Sequence, residues 1–116
     1  MKFTSLNQVL SRGVNAVKNA VGSPISNPIV ENIYLSCKEG KIFFMATNLN
    51  LTIRCEGEVE VEEPGEIILN SEEITKVVQD LPLSEVFFET DQENVKIRCG
   101  NFKARMKGQS ADLFPP

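Results

Sequence analysis

Side chains able to do chemistry are sparse in this chain of 116 residues. Histidine is absent, which removes the usual general base, triad partner and imidazole metal ligand together. The three cysteines, Cys37, Cys55 and Cys99, lack CxxC spacing and are odd in number. They read as buried free thiols in a reducing compartment rather than a disulfide or zinc framework. Gly13 and Gly22 do not make GxGxxG, and no GKS or GKT closes a phosphate loop. The densest carboxylate run is Glu56, Glu58, Glu60, Glu62 and Glu63. Its first four members alternate with Gly57, Val59 and Val61, the period of a half-exposed strand rather than a metal cage. Asn50-Leu51-Thr52 is formally a glycosylation triplet, of no use to a cytoplasmic chain. No catalytic residue, metal ligand or cofactor is expected, and an enzyme is the remotest function open to the chain.

Charge is more informative. The net value is -4, yet residues 1–30 carry +3, residues 98–108 carry +4 and the stretch 31–97 carries -10. A globally acidic chain is a poor general nucleic-acid binder, because affinity for phosphates comes from local positive charge. Locally basic faces remain open to it; an ordinary solvated surface is the plainer account of the same segregation.

The elements that must position these residues follow one order, stated twice. Lys2-Phe3-Thr4 reads as a strand, followed by a helix from about Ser5 to Val21. Leu6, Val9, Leu10, Val14, Val17 and Val21 fall on one helical face, with Gln8, Arg12, Asn15 and Asn19 opposite. Gly22, Pro24 and Pro28 stop that helix. Strands Ile29 to Lys38, Lys41 to Thr47 and Leu49 to Val61 follow, punctuated by Glu39-Gly40 and Asn48. After Pro64-Gly65, the strand Glu66 to Leu69 opens the second copy. Asn70 caps a helix with Glu73 in capping-box position and Glu72 near the positive end of the dipole. Ile74, Val77, Val78 and Leu81 form its apolar stripe, Lys76, Gln79 and Asp80 face solvent, and Leu81-Pro82 ends it. Strands Glu85 to Thr90, Asn94 to Cys99 and Phe102 to Lys107 complete the copy. The chain is expected to be one α+β domain, a duplicated β-α-β-β-β unit with a first repeat of about 1–61, a second of about 66–108 and an exit segment 109–116. With no signal peptide and no apolar run of membrane-spanning length, a cytoplasmic location is expected and no membrane partner.

Met1-Lys2-Phe3, Asn27-Pro28-Ile29-Val30-Glu31-Asn32-Ile33, Ala46-Thr47-Asn48-Leu49, Pro64-Gly65 and Leu81-Pro82, in this order and spacing, resemble the N-terminal domain of the bacterial DNA polymerase III beta subunit, the sliding clamp. Ser110-Ala111-Asp112-Leu113-Phe114-Pro115-Pro116 resembles that family's exit toward an interdomain linker. The resemblance spans essentially the whole chain. It implies a DNA-clamp fold with two helices on one side of two antiparallel four-stranded sheets, and a subunit of three such domains that dimerises into a ring around duplex DNA. The implied function is a processivity factor for the replicative polymerase. Polymerase and clamp loader would bind through domains absent from this chain.

The resemblance also assigns roles. In the family the helices line the hole, so Arg12, Asn15, Lys18, Asn19, Lys76 and Gln79 are expected to face DNA, with Ser26 and Asn27 donating to phosphate. Such contacts should be weak and phosphate-directed, since a sliding ring cannot hold bases tightly. The family's basic residues near the proline-rich loop and at the second helix start are replaced here by Ser23-Pro24-Ile25-Ser26 and Ser71-Glu72-Glu73. Its last strand pairs with the third domain of the other subunit, which assigns Lys103, Ala104, Arg105 and Met106 to a dimer interface, with Val77 beside them. The alternative is a standalone protein-interaction module that uses the same duplicated fold without encircling DNA. The two differ in partner dependence: a clamp domain alone should hold DNA hardly at all, yet complement a chain carrying the missing two domains.

Overall fold

A computed structural model describes residues 1–21 and 28–115. Within them, strand β1 (Lys2–Leu6) feeds helix α1 (Asn7–Val17), which tightens into a 3-10 turn at Lys18–Ala20; a second 3-10 turn, Pro28–Glu31, leads into β2 (Asn32–Lys38), β3 (Lys41–Thr47) and β4 (Thr52–Glu58). Then come β5 (Glu60–Glu63), β6 (Gly65–Asn70), α2 (Ser71–Asp80), β7 (Glu85–Asp91), β8 (Asn94–Cys99) and β9 (Phe102–Lys107).

The repeats are interleaved. One sheet has the order β5-β1-β7-β8-β9 and the other β4-β3-β2-β6. Each repeat thus lends its first strand to the other repeat's sheet: β1 lies antiparallel to β7, and β6 antiparallel to β2. Phe3 and Phe88 face each other in the β1–β7 register, their rings stacked with centroids 4.8 Å apart and both fully buried. Such a pair adds about 0.5–1.5 kcal/mol to what burial alone gives.

Both sequence-predicted helices form, with corrected ends. Ser5 and Leu6 belong to β1, and Leu6, placed on the apolar stripe by its spacing, is 55% exposed. Leu10, Val14 and Val17 do fill the core, and Gly13 is buried among them. Asn70 caps α2 as expected, its Oδ1 accepting from the Glu73 amide at 3.0 Å.

The strand expected over Ile29 to Lys38 starts later, because Pro28, with its fixed φ, opens a 3-10 turn. The strand expected over Leu49 to Val61 is three things. Asn48 Oδ1 accepts from the amides of Asn50 and Leu51 to build a turn, β4 follows, and at Val59 the chain leaves that sheet. Val59 is buried and its amide donates to the Gly40 carbonyl at 3.0 Å; β5 then pairs with β1 in the opposite sheet. Hence the sheets have five and four strands rather than four each. Cys37 and Cys99 are buried free thiols, whereas Cys55, expected to be buried too, is only half so.

The segment after β9 packs back onto the four-stranded sheet. Gln109 exchanges backbone hydrogen bonds with Ile68 at 3.0 and 3.1 Å, covering part of the outer edge of β6. Phe114 is buried, its ring 5.6 Å from Tyr34. Tyr34 donates its hydroxyl to Glu66, and burial first, then that carboxylate, raises its pKa.

Candidate nucleic-acid interface

α1 and α2 lie against each other, and α1 packs on β3 and β4. At the crossing, a Cβ on Gly13 would stand 2.1 Å from Phe44 Cε1, and one on Gly57 would stand 2.7 Å from Val9 Cγ1. The absence of side chains at these two positions lets the helix sit close to the sheet. Asn7, at the start of α1, donates to the Pro82 carbonyl just past α2 at 2.6 Å, joining the helix layer at that end.

This close seating turns the polar stripes outward. Arg12, Asn15 and Asn19 are exposed along α1 and the turn that follows it; Lys18 is half-buried. Lys18 also forms the C-cap of α1, where its charge complements the negative end of the helix dipole. Lys76 and Gln79 are exposed on α2. Ser26 and Asn27 lie outside the described residues.

The helix layer is electrostatically mixed. Arg12 and Lys18 bring positive charge to α1, but α2 sets Glu72, Glu73 and Asp80 around its single cation, Lys76. The two glutamates occupy the first turn of α2, so the helix end that would otherwise attract phosphate is already neutralised. Favourable contact with a polyanion therefore belongs mainly to α1.

Among the described residues β9 is an edge strand with only β8 beside it. Lys103 and Arg105 are exposed, while Ala104 and Met106 are half-buried and packed on the core, the alternation expected for a strand covered on one face. Val77 is likewise half-buried against the core. Among the described residues no strand pairs with the outer edge of β9, which carries Ala104 and Met106 as small and flexible apolar side chains.

Sequence reasoning had no signal for Gly13 and Gly57, because their role depends on a partner distant in the chain. It also missed that β7 sets an aromatic ring beside the cations of β8 and β9. Phe87, Arg98 and Lys103 stand in one row across β7, β8 and β9, with the Arg98 guanidinium 5.0 Å from the Phe87 ring centroid. Alternation in β9 hinted at its own cations only.

A duplicated β-α-β-β-β unit, with exchanged first strands and a helix pair backed by two antiparallel sheets, defines a clamp-type domain. The family model described as DNA polymerase III beta subunit, N-terminal domain, matches residues 1–116, and the chain belongs to that family. It is 28% identical to the beta sliding clamp of Bacillus subtilis, over 99% of this chain and 33% of that protein. It is 29% identical to the beta sliding clamp of Synechococcus elongatus, over 99% of this chain and 32% of that protein. Among solved structures, the DNA polymerase sliding clamp from Bacillus subtilis superposes with a TM-score of 0.94 at 27% identity, covering 100% of this chain and 33% of that one. The pol III beta of Caulobacter crescentus gives 0.92 at 27% identity, covering 100% and 32%. The chain thus spans about a third of the length of the curated relatives it matches.

Proposed function

We propose that this chain is the first domain of a ring-shaped, non-catalytic processivity factor that encircles duplex DNA in the bacterial cytoplasm and tethers a replicative polymerase to it. The observation that carries the reading is the match of the family model along residues 1–116. In this reading Arg12, Asn15, Lys18 and Asn19 make the main phosphate contacts, Ser26 and Asn27 extend them, and Lys76 and Gln79 contribute less because of their acidic neighbours. The β9 edge at Lys103, Ala104, Arg105 and Met106, with Val77, joins the second subunit. Pairing with another chain satisfies backbone groups that an edge strand leaves to water. Polymerase and clamp loader would act through other domains of the whole protein.

Topology is the test. The chain, joined to the remaining domains and loaded on nicked circular duplex, should co-elute with the circle and be released when the circle is cut to a linear form. Arg12→Glu with Lys18→Glu should impair loading or retention while the circular dichroism spectrum stays unchanged. Equal retention on circular and linear DNA would refute encirclement. Unchanged retention of the double variant would remove those two residues from the contact set.

A further inference from the structure

Four cations of β8 and β9 cluster on the outer face of the five-stranded sheet, away from the helix layer. In the β-register, Arg98 stands directly opposite Lys103, and Lys96 directly opposite Arg105. Adjacent strands lie about 4.8 Å apart and alternate residues about 6.6 Å apart along a strand, so these four cations form a compact quadrilateral. Like charges facing each other across strands are destabilising. Among the described residues no ion pair engages any of the four; the pairs present are Lys2–Glu62 at 3.6 Å and Lys41–Glu56 at 3.7 Å. The row containing Arg98 continues to Phe87, which remains 41% exposed. The same residues border a shallow depression of about 590 Å³ that also reaches Lys2, Glu62 and Glu89; Glu89 stands opposite Lys96 in the β7–β8 register, which leaves the side of the patch at Arg98, Lys103 and Arg105 the more positive.

The geometry points to this outer face as a binding surface for single-stranded DNA, with a base stacked at the Phe87–Arg98 pair and phosphates lying along Lys96, Lys103 and Arg105. Cations alone would suit any polyanion. An exposed aromatic ring set among them distinguishes a strand whose bases are free to stack, and membership of a DNA polymerase subunit family makes that strand DNA. The phosphates would relieve the repulsion that the register imposes. The site is local and needs no ring, so it stands apart from encirclement of duplex. It also departs from the expectation that the isolated domain holds DNA hardly at all, an expectation that rested on encirclement by the assembled ring. Backbone pairing at the β9 edge would leave the outward side chains of Lys103 and Arg105 on this face.

The test is fluorescence anisotropy of a labelled oligothymidylate titrated with the 116-residue chain. Three phosphate contacts give a slope of log affinity against log salt of about -2 on single strands, or a loss of about 20-fold between 50 and 200 mM salt. Phe87→Ala removes no charge and should weaken binding at least about fivefold. Paired Lys96→Ala and Arg105→Ala substitutions should flatten the salt slope by about 1.4. Lys41→Ala, on the other sheet, is expected to leave binding as it was; circular dichroism checks the fold of every variant. Absence of binding at 50 mM salt would overturn the proposal. So would an unchanged affinity in Phe87→Ala together with equal competition by polyglutamate, which would assign the face to acidic peptides instead.

Discussion

Gly13 shows two local effects in opposition, and magnitudes decide between them. Replacing a helical glycine by alanine ordinarily stabilises by up to about 1 kcal/mol. Here the new methyl would lie 2.1 to 2.4 Å from three atoms of the buried Phe44 ring, and overpacking of a core costs about 1–3 kcal/mol. Gly13→Ala is therefore expected to lower stability by about 1–2 kcal/mol net of the propensity gain, read as a reduced urea midpoint. A raised midpoint would mean that helix and sheet can part without cost. The thiols permit a second prediction. Burial pushes the pKa of Cys37 and of Cys99 up, so their folded-state values exceed the unfolded one. Stability from this source is complete below the unfolded thiol pKa of about 8.5 and is lost as pH rises above it, since only the unfolded chain ionises readily. The urea midpoint should fall as pH is raised from about 8 to 9.5, with Tyr34 adding to the decline at higher pH through its own raised pKa. In the folded protein at neutral pH, mass spectrometry should find a thiol reagent on the half-buried Cys55 first. Equal labelling of all three cysteines would contradict this packing.

At the scale of elements, α2 depends on its cap. The Asn70 side chain meets one of the amides that the first helical turn leaves without an internal partner. Asn70→Ala should cost about 1 kcal/mol, measured by chemical denaturation; an unaltered free energy would show that water serves this amide as well. The cap was legible because Asn70 and Glu73 stand at a spacing with a physical meaning before an apolar stripe. Turns at Glu39-Gly40 and Gly100-Asn101 were legible for a similar reason: Glu39, Gly40 and Gly100 all adopt positive φ, and glycine marks such places. The β4–β5 switch was not. Glu56, Glu58, Glu60 and Glu62 are exposed on both sides of Val59, so the period of two continues unbroken while the chain changes sheets. Periodicity reports which face is wet, not which strand lies alongside. The same limit explains the candidate sites. Exposed positions on α1, α2 and β9 could be read from local spacing, whereas the Phe87–Arg98–Lys103 row required the register of three strands.

For the whole molecule, the exchange of first strands implies that the two repeats cannot fold separately. A fragment ending at Glu63 would keep β1 without β7 and β2 without β6, losing two complete antiparallel ladders. Phe3, 1% exposed in the intact chain, would lose its stacked partner Phe88. The fragment from Gly65 onward would lose the same ladders from the other side, along with the Asn7 to Pro82 hydrogen bond between the helix ends. Its β6 would keep only the bridge to Gln109 on its outer edge and would leave the edge vacated by β2 open, a surface prone to aggregation. Burial of apolar surface is what offsets the conformational entropy of folding, and net stability is a small remainder of the two. Halving a single shared core therefore removes far more than half of that stability. Cleavage at Pro64, an exposed turn residue between β5 and β6, should give two fragments that are each largely unfolded by far-UV circular dichroism. Mixed in equal amounts, they should recover the intact spectrum and one cooperative thermal transition whose midpoint rises with concentration, as coupled folding and binding requires. A cooperative transition in the fragment 1–63 alone would refute the shared core and make the duplication two autonomous units placed side by side.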